Sequence, residues 1–216
     1  MKTILLRHAK TKFAWESAYD SAGFDAATAA YEEAGIETAT PDAFSVEDRV
    51  VYVSSTRRAK ETAALLFPGI AVKETPLLNE VPLRSCKDTT ARHSLRYWQL
   101  WGRLQWWLGS ARQPETRKET VARADEVIAL IERESKDVIL LSHGFFLLTL
   151  LKRLRAKGYV LTRGNVGPIE PLERIRATRR ADHCGACTHN CSLKHPGCGV
   201  GIDKARREGY EYSRTS

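Results

Sequence analysis

No stretch of this 216-residue chain stays apolar long enough to cross a bilayer. Its most apolar window, residues 138–151, is interrupted by Ser142-His143-Gly144. The opening Met1-Lys2-Thr3-Ile4 runs straight into a strand-like segment, without the apolar core and small-residue cleavage site of a secretory leader. These absences argue against a membrane protein, and a cytoplasmic location is expected. Also missing are a Walker loop and a dinucleotide-binding glycine fingerprint, which sets aside the common nucleotide folds. There is no internal repeat of solenoid length. Before residue 184 the one cysteine is Cys86, read as an inert small hydrophobe.

What is present describes an ordinary globular chain, 43% hydrophobic and 28% charged, long enough for one main domain plus an appendage. The formal net charge of +8 permits nucleic acid as a partner but suits a phosphorylated small molecule equally well.

Three segments share one design. In "ILLRHAKT" an apolar run, Ile4-Leu5-Leu6, ends in Arg7-His8. "RVVYVSSTRRAKETAALLF" runs β-branched through residues 50–53, turns at Ser54-Ser55-Thr56 and becomes helical over residues 57–67. "DVILLSHGFFLLTLLKRL" is strand-like over residues 138–141, turns at Ser142-His143-Gly144 and continues as an apolar helix. Strands apolar on both faces and alternating with helices predict an α/β fold, a mostly parallel sheet sandwiched by helices. Ligands of such sheets bind at the carboxyl ends of the strands. Arg7-His8, residues 54–58 and Ser142-His143 all fall at those ends.

Two insertions interrupt this pattern, at about residues 13–44 and 81–118. The first is rich in alanine and acidic residues and reads as one or two short helices. The second contains "HSLRYWQLWGRLQWWLG", in which Leu95, Trp98, Trp101, Leu104 and Leu108 recur at helical spacing. Core packing of an amphipathic helix is the expectation for those tryptophans. The alternative is a lid whose arginines or indoles reach a substrate, with Arg84, Arg92, Arg96 and Arg103 as candidates. After Tyr159 the pattern changes to short strands and turns.

If the three strand ends converge, Arg7 and Arg58 offer planar, permanently charged forks suited to phosphate oxygens. Their field favours a neutral His8, whose free ring nitrogen can attack phosphorus. His143 can donate a hydrogen bond to charge building on the transferring group. Glu80, in "LLNEVPL", is the candidate proton donor for the leaving oxygen.

In motif content and order, residues 1–176 resemble the histidine phosphatases, the phosphoglycerate mutase-like superfamily. "LLRHAKT" resembles the family's Arg-His-Gly signature and "SSTRRAKETA" its Ser-Pro-x-x-Arg-Ala segment, which selects Arg58 over Arg57. "LLNE" resembles the acid-bearing segment and "LLSHG" the second-histidine segment. The resemblance implies that His8 is transiently phosphorylated and that Arg7, Arg58 and His143 form the phosphate pocket. It also implies that Glu80 protonates the leaving group and then activates water, with no cofactor or metal in the chemistry. Several positions depart from the pattern. Ala9-Lys10 replaces Gly-Glu, and Ser55 replaces a proline. Phe13-Ala14 and Phe145 stand where mutases carry polar residues, which points to a phosphatase. The expected substrate is a phosphorylated small molecule or a phosphoprotein. The alternative function is a non-catalytic phosphate or phosphopeptide sensor in which Ala9-Lys10 has spoiled the nucleophile.

From residue 177 the composition changes, and residues 177–216 are read as a separate Cys-rich tail. In "HCGACTHNCSLKHPGCGVG", Cys184, Cys187, Cys191 and Cys198 predict one structural zinc site in a reducing compartment. Replacement of one thiolate by His195, or an iron–sulfur cluster, are the variants. So few large apolar residues cannot pack a core alone, so the metal would supply the folding energy. Seven Lys/Arg against four Asp/Glu in the tail, without aromatic platforms, do not indicate nucleic acid. The tail is a structural clip or a recruiting module, and oligomeric state is left open.

Overall fold

A computed structural model of the protein describes residues 2–37, 48–163 and 174–179. In chain order the elements are β1 (Lys2–Arg7), β2 (Ala18–Tyr19), α1 (Ser21–Glu33), β3 (Arg49–Ser54), α2 (Arg57–Leu66) and β4 (Lys73–Thr75). A 3-10 turn (Pro76–Leu78) then leads to β5 (His93–Ser94), α3 (Leu95–Leu108), α4 (Arg117–Arg133) and β6 (Asp137–Ser142). The described chain closes with α5 (Gly144–Ala156), β7 (Tyr159–Arg163) and β8 (Arg174–Arg179).

Six strands form one sheet in the order β4-β3-β6-β1-β8-β7. Strands β4, β3, β6 and β1 are mutually parallel. Strand β8 is antiparallel to both β1 and β7 and so runs against the other five. The expected mostly parallel sheet is therefore present, with helices on both faces. Alternation along the strands decides which helix meets which residue. Leu5, Tyr52, Val138 and Leu140 pack with α4 and α5, whereas Ile4, Leu6, Val51, Val53, Ile139 and Leu141 pack with α2. Each such aliphatic side chain, when fully buried, contributes roughly 1.5–3 kcal/mol to folding.

Local signals fix where the helices begin and end. Helix α4 starts with a capping box between Thr116 and Glu119, and Asp20 accepts from the Gly23 amide at the start of α1. Helix α3 starts at the N-cap Ser94 and stops at Gly109, whose φ of +77° is the left-handed cap that glycine adopts without strain.

The expected stripe on α3 needs correction. The buried positions are Trp98, Gly102 and Trp106, while Trp101, Leu104 and Leu108 are 46%, 38% and 66% exposed. Trp98 stacks on Phe24 of α1 with ring centroids 5.5 Å apart, and its indole N–H donates to the Tyr19 carbonyl at 3.0 Å. At Gly102 a Cβ would lie 2.7 Å from Leu83 Cδ1 and 3.2 Å from the Arg84 carbonyl oxygen. A helix face centred on glycine can approach a neighbouring segment closely, and a count of large apolar residues overlooks it.

The compositional boundary at residues 176 and 177 falls within β8, where Ala177 pairs with Thr3 and is fully buried. Cys184, Cys187, Cys191, Cys198 and His195 lie outside the described residues, as does the end of the first insertion. Among the described residues no group of His, Cys, Asp and Glu has the arrangement of a metal site. Nor is any of their helices long and apolar enough to cross a membrane.

Candidate active site

The three motif-bearing strands are neighbours, with β6 between β1 and β3. Their register brings the ends level: Arg7 pairs with Ser142, and Val53 with Leu141. One hydrogen bond past β1, from His8 N–H to the Ser142 carbonyl at 3.0 Å, sets the two histidines side by side. Their ring centroids are 4.8 Å apart, tilted by 54°.

His8 is almost fully buried, and its Nδ1 donates to the Ala9 carbonyl at 2.7 Å. A carbonyl only accepts, so the proton sits on Nδ1 and the Nε2 lone pair is free. Burial, reinforced by Arg58 and Arg7 and opposed by the Ala9 bond, lowers its pKa from 6.5 to about 4. The Ala9 amide in turn donates to Thr62 Oγ1 at 3.0 Å, and Thr62 Oγ1 donates to the Arg58 carbonyl at 2.7 Å. Helix α2 thereby holds the turn that carries His8.

His143 is fully buried with both ring nitrogens engaged. Arg58 Nε donates to its Nδ1 at 3.2 Å, which leaves the proton on Nε2, 2.8 Å from Ser54 Oγ and 3.2 Å from Thr56 Oγ1. Burial, then the charges of His8, Arg58, Arg123 and Arg7, hold it well below the usual imidazole range. Asn79 Oδ1 closes the network by accepting from Ser54 Oγ (2.7 Å), the Ser55 amide (3.0 Å) and Ser55 Oγ (2.9 Å).

Of the two arginines beginning α2, Arg57 is exposed and pairs with Glu61 one turn on. Arg58 is fully buried, and its remaining donors reach α1. Nη1 donates to the carbonyls of Tyr31 and Glu32, and Nη2 to both carboxylate oxygens of Glu32, all at 3.2 Å. The guanidinium also lies over the Tyr31 ring, 4.8 Å from its centroid. Arg7 is held differently. Its Nε is buried without a hydrogen-bond partner among the described residues. A Cβ on Gly144 would come within 3.2 Å of that nitrogen, so the glycine after His143 is what lets Arg7 lie against the start of α5.

Glu80 caps α5 from outside the helix. Its Oε1 accepts from the amides of Val81 (2.9 Å) and Phe146 (2.8 Å), and Oε2 from Phe145 alone (3.1 Å). The Phe145 and Phe146 amides belong to the first turn of α5, where no residue of the helix itself can satisfy them. Arg123 of α4 fastens the same segment by donating to the carbonyls of Leu77 and Asn79 at 3.0 and 2.6 Å. Glu80 lies where two clefts meet, one of about 350 Å³ bordered by Trp15, Tyr31, Glu32 and Arg103, the other of about 420 Å³ bordered by Arg7 and Gly144.

Residues 3–165 match the profile of the Histidine phosphatase superfamily (branch 1). The chain belongs to that family. Solved structures of similar fold include the product of a Mycobacterium tuberculosis open reading frame, with 20% identity, a TM-score of 0.47 and coverage of 79% of this chain and 94% of that one. Another is a phosphoserine phosphatase from Entamoeba histolytica, with 17% identity, a TM-score of 0.45 and coverage of 72% and 80%. A third is a putative alpha-ribazole-5'-P phosphatase from Escherichia coli, with 21% identity, a TM-score of 0.45 and coverage of 71% and 79%. No curated protein sequence is significantly similar to the chain.

Within this histidine phosphatase fold the departures from the motifs have physical readings. Ala9 sits where no left-handed backbone is needed, since Asp48 is the one non-glycine residue with positive φ among those described. Lys10 turns outward to pair with Glu37 at 3.0 Å. The amide of Ser55, which a proline would lack, is one of the donors to Asn79. Phe145 presents its ring to Trp106 (centroids 5.0 Å apart) and to the Arg103 guanidinium (3.7 Å above it). Of the four arginines named as lid candidates, Arg103 borders the cleft. Arg92 pairs with Glu16, and Arg84 lies 3.5 Å from Asp25.

The sequence placed Ser54 and Thr56 at a strand end without a role, and gave no place in the site to Asn79, Thr62, Arg123 or Glu32. Asn79 precedes Glu80 directly in "LLNE", which was the available signal.

Proposed function

We propose that this histidine phosphatase is a phosphomonoester hydrolase that works through phosphorylation of His8. The observation that carries this reading is the 2.7 Å hydrogen bond from His8 Nδ1 to the Ala9 carbonyl, which leaves Nε2 as an unprotonated nucleophile inside a cationic pocket. The depressed pKa of about 4 keeps that nitrogen available throughout the physiological range. Nε2 attacks phosphorus, and the bond from phosphorus to the leaving oxygen breaks. Arg7 and Arg58 bind the non-bridging oxygens, and His143 joins them by turning its Nε2–H from the Ser54 and Thr56 hydroxyls to the charge that builds there. Glu80 gives its proton to the leaving oxygen. Its Oε2, held by one amide, is better suited to this than Oε1, held by two. In the second half Glu80 takes a proton from water, the resulting hydroxide attacks phosphorus, and the P–N bond breaks to release phosphate and neutral His8.

Hydrolysis is favoured over mutase chemistry because Phe145 offers an aromatic ring, not a polar group, beside the second histidine. A phosphorylated small molecule or a phosphorylated protein side chain is the substrate class. From their spacing, Cys184, Cys187, Cys191 and Cys198 hold one zinc ion as a clip, in a cytoplasm that keeps the thiols reduced.

Turnover of an aryl phosphate by wild type and by His8→Ala tests the proposal. Activity in the wild type and none in His8→Ala is the expected result, and activity that persists in His8→Ala overturns the mechanism. Phosphate binding without turnover in either protein replaces the enzyme with a phosphate sensor.

A further inference from the structure

Arg58 donates through three nitrogens, and each of them already has a protein acceptor. Nε donates to His143, Nη1 donates to the carbonyls of Tyr31 and Glu32, and Nη2 faces both oxygens of the Glu32 carboxylate. Fully buried and with an acceptor at every nitrogen, this guanidinium can meet a phosphoryl oxygen squarely only if one of those partners gives way. The partners are not equally able to do so. Tyr31 and Glu32 carbonyls belong to the last turn of α1, which carries no basic residue of its own, so Arg58 neutralises that helix end and is anchored by it. His143 is buried on β6's end. The Glu32 side chain, by contrast, is 42% exposed and can rotate into solvent without moving any backbone.

We propose that Glu32 is an internal ligand of the phosphate site, a carboxylate that the substrate's phosphoryl group must displace from Arg58 Nη2. This rests on the assignment of Arg58 to the phosphate pocket. The contact is built to exchange. Both carboxylate oxygens stand 3.2 Å from one nitrogen, longer than the 2.7–2.9 Å of a strong charge-assisted pair. A phosphate carries more charge and presents three oxygens, so it outcompetes a single loosely held carboxylate. Nη1 stays on its carbonyls throughout, and the exchange therefore needs a side-chain rotation only. Arg7 completes the asymmetry, because its buried Nε has no protein acceptor among the described residues to release. Once displaced, Glu32 loses its cation while Glu80 and Asp25 still border the same cleft, with Arg103 as the opposing charge. Burial and the nearby Glu80 and Glu33 already raise the Glu32 pKa against the pull of Arg58, in keeping with a carboxylate whose hold on its partner is weak. Glu32 thus sets the affinity of the pocket for phosphate through Arg58 and is a positioning residue, with no part in bond making.

The test is calorimetric binding of inorganic phosphate to wild type, Glu32→Gln, Glu32→Ala and the control Glu33→Gln, paired with KM and kcat for an aryl phosphate. Phosphate should bind about fivefold more tightly to Glu32→Gln and Glu32→Ala, the scale of a half-exposed ion pair, with KM falling in step and kcat little changed. Glu33→Gln should match wild type. The melting temperature before phosphate is added should drop in both Glu32 variants and be recovered by phosphate. Unchanged or weaker phosphate binding in folded Glu32→Gln, with turnover intact, overturns the internal-ligand role and leaves the phosphatase reading standing. Tighter binding without turnover in any variant sinks the phosphatase reading and keeps Glu32 as the competitor. Phosphate binding to none of the proteins overturns both.

Discussion

The polar floor at the ends of β1, β6 and β3 and the aromatic wall formed by α1, the segment after Glu80 and α3 are held in different ways. On the floor His8, Arg58, His143 and Ser54 are buried polar groups, each fixed by named hydrogen bonds. In the wall Trp98, Phe24 and Tyr19 pack as rings, and α3 leaves Trp101, Leu104 and Leu108 exposed. Buried hydrogen-bonded charges tolerate little displacement, because any group left without its partner costs its full desolvation. Aromatic packing is non-directional by comparison and can be rearranged at modest cost. Precision is thus concentrated where a phosphoryl group would be held, and latitude where leaving groups differ.

The contrast can be broken most forcefully at Arg58. Replacing it with alanine leaves His143 Nδ1 and two carbonyls of α1 without their donor, and leaves Glu32 without its cation. We expect kcat/KM for an aryl phosphate to fall roughly 100-fold or more. Stability should fall by about 3 kcal/mol, the cost of breaking a buried charged contact. Arg58→Lys should rescue little, because an ammonium cannot serve partners on three sides at once. Near-normal activity in Arg58→Ala, read by steady-state kinetics beside a denaturation curve, would mean the floor tolerates as much as the wall.

A second effect belongs to His8 and is read as pH-dependent stability. Its folded pKa of about 4 lies below the ordinary 6.5, so as pH falls the unfolded chain gains a proton that the folded protein refuses. The associated stability is fully present above pH 6.5 and is lost as pH falls toward 4. Between about pH 6.5 and 5 the loss from His8 is about 1.5 kcal/mol. Urea denaturation across that window should show His8→Ala losing less than wild type. Equal slopes would mean that burial does not disfavour the imidazolium.

The smallest effect is expected in the wall. Trp98→Phe keeps a ring on Phe24 but removes the donor to the Tyr19 carbonyl, and should cost about 1 kcal/mol with kcat/KM within about twofold. A large loss of activity at unchanged stability would make the wall part of the chemistry.

The floor was largely legible in the sequence. Arg7-His8 follows an apolar run directly, His143 follows one after Ser142, and Arg58 follows one across a short turn, and the parallel register of these runs brings their ends together. Glu80 was readable as an acid, but its seat on the amides of Phe145 and Phe146 depends on where α5 starts relative to a segment 65 residues earlier. Asn79 was hidden because its partners, Ser54 and Ser55, come from another strand end. The wall was misread on α3 because Gly102 has no side chain to count, although its close approach to Leu83 decides which face is buried. Glu32 carries no motif. It stands in an alanine-rich helix and acquires meaning only when packing sets it against Arg58. The zinc reading of the four tail cysteines rests on their spacing alone, and about one zinc per chain by elemental analysis is the result that supports it.

The central claim is that His8 Nε2 carries the phosphoryl group. Rapid mixing of wild type with an aryl phosphate, quenched under conditions that preserve phosphohistidine and followed by peptide mass spectrometry, reads this directly. The account predicts one phosphoryl group on the peptide containing His8, appearing no more slowly than product and absent in His8→Ala. A phosphoryl group on any other residue, or full turnover with an unmodified His8 at every time point, would contradict it.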